Sequence, residues 1–185
     1  MLDNDIDAAL GYLSDFAKLI RITLDNVVKK KVSLEEELNY LKLYLNLEKM
    51  RFDKHFDTEI ILPKEFEQRK IEIPPMVIQP FVENAIKHGF VYKKEDAKLK
   101  LEFKIINDNI LHCIIEDNGI GRQKSRELNR NNHKSHQSRG TFITYERLML
   151  LNKSQPHKGY NINTTDLYDD YNLPCGTRVE ITIPI

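Results

Sequence analysis

The chain has 185 residues, 41% of them hydrophobic and 30% charged, with 28 basic and 28 acidic side chains and a net charge of zero. That describes one ordinary globular domain with room for a sizeable core, and it leaves no basic footprint of the kind that supplies most nucleic-acid affinity, so no nucleic-acid partner is expected. Two cysteines far apart, Cys113 and Cys175, argue against a disulfide framework or a zinc site, and the absence of any run near the ~20 apolar residues of a membrane span gives the chain a cytoplasmic character.

In chain order, residues 3–29 place Ile6, Leu10, Leu13, Ala17, Ile20 and Leu24 at steps of three and four, which predicts an amphipathic helix. Its stripe needs a partner, either the rest of the chain or a second copy. Lys29-Lys30-Lys31 follows as a solvated helix end. Ser33-x-x-Glu36 is a capping box that opens a second helix, running to about Lys54 with Leu34, Leu38, Leu41, Leu45 and Met50 on its apolar side. Residues 57–62 read as a strand ended by Pro63. Ile71 to Pro75 lead into a third helix, with Pro75 suited to its first turn and Gly89 to its C-terminal stop.

Residues 98–106 and 110–116 predict a β-hairpin around Asn107-Asp108-Asn109. Residues 122–139 are nearly devoid of large apolar side chains and predict a mobile polar loop. Helical spacing returns over 141–152. Two more strands follow at 160–165 and 176–184, joined by an acidic, tyrosine-bearing loop. This order puts helices on one face of a mixed, mostly antiparallel sheet, an α+β fold.

Four places carry candidate chemistry. Asn84 falls on the border of the third helix's buried face, where its amide oxygen could ligate Mg²⁺, and Lys87 one turn on could meet phosphates. The plain alternative is an ordinary helix with a Glu83–Lys87 surface pair and His88 near its end. Asp117 ends an apolar strand, and its carboxylate could accept a hydrogen bond from an exocyclic amine such as that of adenine. Gly119 and Gly121 would let the backbone approach a flat ring, whereas a simple Asp-Asn-Gly turn is the alternative. Gly140, beside Arg139, opens a helix whose N-terminal amides favour anions, or is merely a hinge. Gly176-Thr177 opens the last strand.

The order of these features resembles the GHKL ATPase superfamily of gyrase, MutL and the sensor histidine kinases. Residues 79–89 (Gln-Pro-Phe-Val-Glu-Asn-Ala-Ile-Lys-His-Gly) look like its N-box, 117–121 (Asp-Asn-Gly-Ile-Gly) its G1 box and 139–148 a variant G2 box. Tyr44-Leu45-x-Leu47-Glu48-Lys49-x-Arg51-Phe52 and Ile73-Pro74-Pro75 narrow the likeness to LytS/YehU-type sensor histidine kinases, over about residues 10–185. The resemblance implies a Bergerat-type two-layer α/β sandwich with a partial dimerisation helix at 1–31 and an ATP-binding catalytic domain at 32–185. It implies ATP and Mg²⁺ as cofactors, with Asn84 as the metal ligand. Lys87 would contact phosphate, His88 would also belong to the cofactor-binding site, and Asp117 would be the adenine reader. Gly119 and Gly121 would line the adenine pocket, Gly140 the lid's phosphate end, and Thr177 would support Asp117. It further implies a homodimer, a response-regulator partner and attachment to an inner membrane only through segments upstream.

The chain departs from the pattern at named positions. Pro80 stands where hydrolytic members carry a water-activating glutamate, which argues against fast ATP hydrolysis. Arg139-Gly140-Thr141-Phe142-Ile143 replaces the usual lid sequence, so a degenerate scaffold without catalysis is the alternative function. None of His55, His88, His112, His133, His136 and His157 has the context of the phosphoacceptor, which would lie upstream. The expected reaction is transfer of the γ-phosphoryl of ATP to a histidine outside this chain.

Overall fold

A computed structural model describes residues 2–51, 56–93, 95–131, 139–154 and 159–185. Its centre is a five-stranded sheet of β2 (Phe56–Ile61), β4 (Ala97–Ile106), β5 (Ile110–Asp117), β7 (Pro174–Pro184) and β6 (Asn161–Tyr168), in the spatial order β2-β4-β5-β7-β6. β2 runs parallel to β4, and the other neighbours are antiparallel. Alternation makes the sheet one-sided. Leu99, Leu101 and Phe103 of β4, Leu111, Cys113 and Ile115 of β5, and Val179, Ile181 and Ile183 of β7 are buried. The opposite face carries cross-strand charge, including a 2.7 Å Arg178–Glu116 pair, as expected of an antiparallel sheet with one wet side.

The buried face is covered by α2 (Leu34–Arg51), α3 (Gln79–Asn84) and the π-helical turn Ala85–Phe90 that continues α3. The capping box forms as read: the Glu36 amide donates to Ser33 Oγ at 3.1 Å, and the Ser33 amide donates to Glu36 Oε2 at 2.8 Å. Residues Val32–Ser33 (β1) and Glu72–Ile73 (β3) pair antiparallel beside it, too short a ladder to leave a periodic signal. The three-residue hairpin turn 107–109 holds Asn107 and Asp108 at positive φ, a backbone that Asn and Asp tolerate.

α1 (Leu2–Val28) leans on α2 through one edge only. Leu19 and Ile22 pack against the core and Asn26 is buried, while Ile6, Leu10, Leu13, Phe16, Ile20, Leu24 and Val27 stay exposed. No described helix is long and apolar enough to cross a membrane.

Three expectations are corrected. The third helix starts at Gln79 with Pro80 in its first turn, not at Pro75. Met76 has φ 56°, which no right-handed helix admits, and the buried Glu37 carboxylate takes the Met76 and Ile78 amides at 3.0 and 3.3 Å. Gly89 does not stop this helix, because the π-helical turn runs through it to Phe90. The polar stretch begins with α4 (Arg122–Asn131) rather than a loop. Arg, Gln, Lys, Glu and Leu are good helix formers, Gln123 and Glu127 pair across one turn, and Ser125 is buried. Residues 132–138 of the expected loop, with His133 and His136, lie outside the described residues. α5 (Arg139–Ser154) follows them.

Glu37 serves as a buried acceptor at the start of α3. Burial pushes its carboxyl above the usual range, opposed by the amides of Met76, Ile78 and Gln79 and by the charge of Arg147. Glu37→Ala would leave those amides without an acceptor and cost roughly 2–4 kcal/mol. Urea unfolding monitored by circular dichroism measures it.

Candidate functional site

Two backbone segments meet at one end of the sheet. The first is the end of the π-helical turn, at Gly89. The second is the loop that follows β5, at Gly119 and Ile120. The Ile120 amide donates to the Gly89 carbonyl at 3.2 Å. A Cβ on Gly119 would stand 2.5 Å from Gly89 Cα and 2.8 Å from the Gly89 carbonyl carbon, so only glycine fits this crossing. The π-helical geometry is part of the same arrangement. It widens the helix locally and carries Gly89 over the sheet end, and such turns are frequent at functional sites.

Asp117 lies beneath that crossing, 7% exposed. Its Oδ1 accepts the Gly119 amide at 2.8 Å, and the Thr177 amide also donates to the carboxylate. Thr177 is its register partner on β7, and Leu99 its partner on β4. Burial pushes the Asp117 carboxyl up to about 6, against the pull of the two amides and of Lys93. The result is a shielded acceptor at the end of a central strand.

The surrounding backbone is pinned. Asn118 Oδ1 accepts the Lys98 amide at 2.7 Å, and its Nδ2 donates to the Asp96 carbonyl at 2.8 Å. Gly121 has φ 75° and passes Pro174 so closely that a Cβ would lie 2.8 Å from the Pro174 Cβ. Gly176, next to Thr177, passes the Asp117 carbonyl oxygen, which a Cβ would meet at 2.0 Å. Arg122 then ties α4 to β6 by a two-pronged pair with Asp166, at 2.6 and 2.9 Å.

The phosphate-side candidates are on α3 and its continuation. Asn84 is half-buried, and its amide makes no hydrogen bond among the described residues. Lys87 is exposed, and its Nζ donates to Glu83 Oε2 at 2.7 Å, the surface pair that the i, i+4 spacing allowed. His88 is half-buried, and burial with the neighbouring Lys87 charge pulls its pKa below the ordinary value, which favours the neutral ring. Gly140 is the second residue of α5, and a Cβ there would lie 3.5 Å from the Pro80 Cβ, so the start of α5 sits over the start of α3. Arg147 fixes α5 in place by donating to the Pro75 carbonyl at 2.7 Å.

The structure therefore gathers Asp117, Gly119, Gly121 and Thr177 with Gly89, sets Asn84, Lys87 and His88 along the same helical segment, and brings Gly140 against that segment's beginning. Sequence reasoning missed Gly89 and Gly176 as points of close approach, Arg122–Asp166 and Glu37. Gly-Thr at the head of a strand was a visible signal for Gly176, whereas no local signal marks the other pairings. Among the described residues, no group of three His, Cys, Asp or Glu side chains is placed to hold a metal ion.

The chain is similar to known sensor proteins and histidine kinases. The family model described as Histidine kinase matches residues 1–56. The LytS sensor protein of Bacillus cereus is 27% identical over 182 residues, covering 97% of this chain and 29% of that protein. The sensor histidine kinase/phosphatase LytS of Staphylococcus aureus is 30% identical over 122 residues, covering 65% of this chain and 20% of that one. The chain thus spans less than a third of the length of these relatives. Among solved structures, the histidine kinase domain of the Erythrobacter litoralis blue-light activated kinase aligns with a TM-score of 0.55 at 15% identity, covering 94% of this chain and 74% of that one. The mycobacterial sensor histidine kinase MprB aligns at 0.54 and 14% identity, covering 85% and 97%. Those likenesses show the fold, an α/β sandwich with a mixed sheet and a preceding helix, and the sequence relatives supply the kinship. The chain is thus similar to the histidine kinases in fold and in its first 56 residues, and it is a relative of the LytS sensor proteins.

Proposed function

We propose that the chain is the ATP-binding catalytic part of a two-component sensor histidine kinase, which passes the γ-phosphoryl group of ATP to a histidine outside this chain. The observation that carries this reading is the shielded Asp117 acceptor under the Gly89–Gly119 crossing, a buried carboxylate where two backbone segments pass so closely that only glycine fits. The half-buried Asn84 amide, with no protein partner among the described residues, supplies a hard oxygen of the kind Mg²⁺ takes. ATP would supply the phosphoryl group, and Mg²⁺ would offset the charge of its phosphates.

In this reading Asp117 accepts the adenine amine, Thr177 steadies Asp117 through its backbone amide, and Gly119 and Gly121 keep side chains out of the ring's path. Asn84 holds the metal, Lys87 offers its ammonium to phosphate, and the neutral His88 stands beside it. Gly140 presents backbone at the phosphate end of the lid. Residues 32–185 form the catalytic domain, and α1 is part of a dimerisation element. The intact protein is a homodimer that serves a response regulator, and this part lies on the cytoplasmic side of an inner-membrane sensor.

Calorimetric titration with ATP tests the reading, with and without Mg²⁺. ATP should bind more tightly when Mg²⁺ is present, and Asn84→Ala should abolish that difference. No binding at millimolar ATP would instead favour the non-catalytic scaffold. A second prediction concerns α1, whose exposed Leu10, Leu13, Ile20, Leu24 and Val27 follow the three-four spacing of a paired-helix seam. In the parent protein, Leu13→Lys with Leu24→Lys should convert a sedimenting dimer to monomer.

A further inference from the structure

A line of polar side chains crosses from α1 to the Lys87 ammonium. Thr23 Oγ1, on α1, stands 3.4 Å from the hydroxyl of Tyr40, on α2. Tyr40 is 2% exposed, and the polar end of the Gln79 side chain lies beside its hydroxyl. Gln79, itself 7% exposed at the start of α3, donates through Nε2 to Glu83 Oε1 at 2.6 Å. Glu83 Oε2 accepts Lys87 Nζ at 2.7 Å. Both carboxylate oxygens of Glu83 are therefore engaged, one on the core side and one at the site.

The arrangement has a cost. Gln79 turns its amide nitrogen toward Glu83, which leaves its oxygen buried without a hydrogen-bond partner among the described residues. A buried unpaired acceptor is unfavourable, and rotation of the amide would relieve it by letting the oxygen accept a hydrogen bond from the Tyr40 hydroxyl, once Glu83 no longer demands a donor. Glu83 also places a negative charge where a triphosphate would come, so it both holds Lys87 and repels the ligand that Lys87 would meet.

We propose that Glu83 is a positioning residue that holds Lys87 back from phosphate, and that Thr23, Tyr40 and Gln79 make its grip depend on how α1 sits against α2. A shift of α1 that parts Thr23 from Tyr40 frees Gln79 to turn, loosens Glu83 and releases Lys87. The inference rests on Lys87 as the phosphate contact, and its test has one readout that needs no nucleotide.

The first measurement is the acetylation rate of Lys87 by acetic anhydride, followed by mass spectrometry on the full chain. The second is ATP·Mg²⁺ affinity. Glu83→Gln should raise both by about twofold, the size expected for an exposed ion pair of this spacing. Thr23→Val should raise Lys87 acetylation in the same direction, and that effect should vanish in the Glu83→Gln background. Tyr40→Phe repeats the test one link further along, should Thr23→Val disturb the helix. Unchanged Lys87 acetylation in correctly folded Thr23→Val and Tyr40→Phe proteins overturns the proposal, as does simple additivity with Glu83→Gln or a fall in ATP affinity in that variant. If acetylation couples as described but ATP never binds, the linkage stands and the nucleotide reading falls.

Discussion

Asp117→Asn should lower ATP affinity roughly 10- to 100-fold while the fold survives. The asparagine keeps an oxygen for the Gly119 amide, which now uses Oδ1 at 2.8 Å. What it loses is the charged acceptor, and hydrogen bonds to charged groups are worth ~1.5–3 kcal/mol. Its remaining amide would turn a donor toward the adenine amine, donor against donor. Alanine is the poorer test because it would also strip the Gly119 and Thr177 amides of their acceptor. Calorimetry measures the affinity, and an Asp117→Asn protein that binds ATP as the unaltered chain does would remove Asp117 from the adenine role.

The same carboxylate makes a pH prediction. Its pKa in the folded chain is about 6, raised by burial above the ordinary aspartate value. Adenine recognition needs the ionised form, so affinity should hold above about pH 6 and fall below it, by up to about tenfold per pH unit for one proton taken up. Stability without nucleotide moves the other way. A carboxyl whose folded pKa is raised contributes stability that is fully present below the unfolded value and lost as pH rises through about 6. The Asp117→Asn protein should lose both dependences.

Gly119→Ala should unfold at a temperature about 10 °C lower, from a loss of about 3 kcal/mol in a chain of this size. The added Cβ would stand 2.5 Å from Gly89 Cα, 2.8 Å from the Gly89 carbonyl carbon and 2.7 Å from Asp117 Oδ1. Two of these are backbone atoms and cannot swing aside, so the π-helical turn and the β5 loop would have to part. Gly140→Ala is the contrast. Its Cβ would meet only the Pro80 Cβ at 3.5 Å, an ordinary contact, and alanine suits a helix better than glycine, so melting should not fall. Equal effects at the two glycines would mean that the Gly89–Gly119 crossing does not carry the stability assigned to it.

Much of the fold was legible because its signals are local. The three-four spacing of α1, the Ser33–Glu36 box and the Asn107-Asp108 turn each need only a few adjacent residues. The one-sided alternation of β4 and β5 is equally short-ranged. Asp117 and its glycines were visible for the same reason, as a carboxylate and two flexible residues at a strand end. The misread places were those where a distant side chain overrides the local preference. Pro75 suits a helix start, yet Glu37, on α2, takes the following amides and delays the helix to Gln79. Gly89 suits a helix stop, yet its backbone is held by Ile120 from the β5 loop and the turn runs on. The polar run after Gly121 lacks a stripe, yet Arg122 finds Asp166 on β6 and Ser125 is buried, and the run begins as a helix.

By itself, then, the sequence determined the order of the elements other than β1, β3 and α4, the one-sided sheet and the identity of the groups that could meet a nucleotide, since each follows from spacing along the backbone and the chemistry of single residues. Only the tertiary structure decided that Gly89 lies against Gly119 and that Thr177 lies opposite Asp117 with a carboxyl raised to about 6. Both depend on how packing brings together segments tens of residues apart.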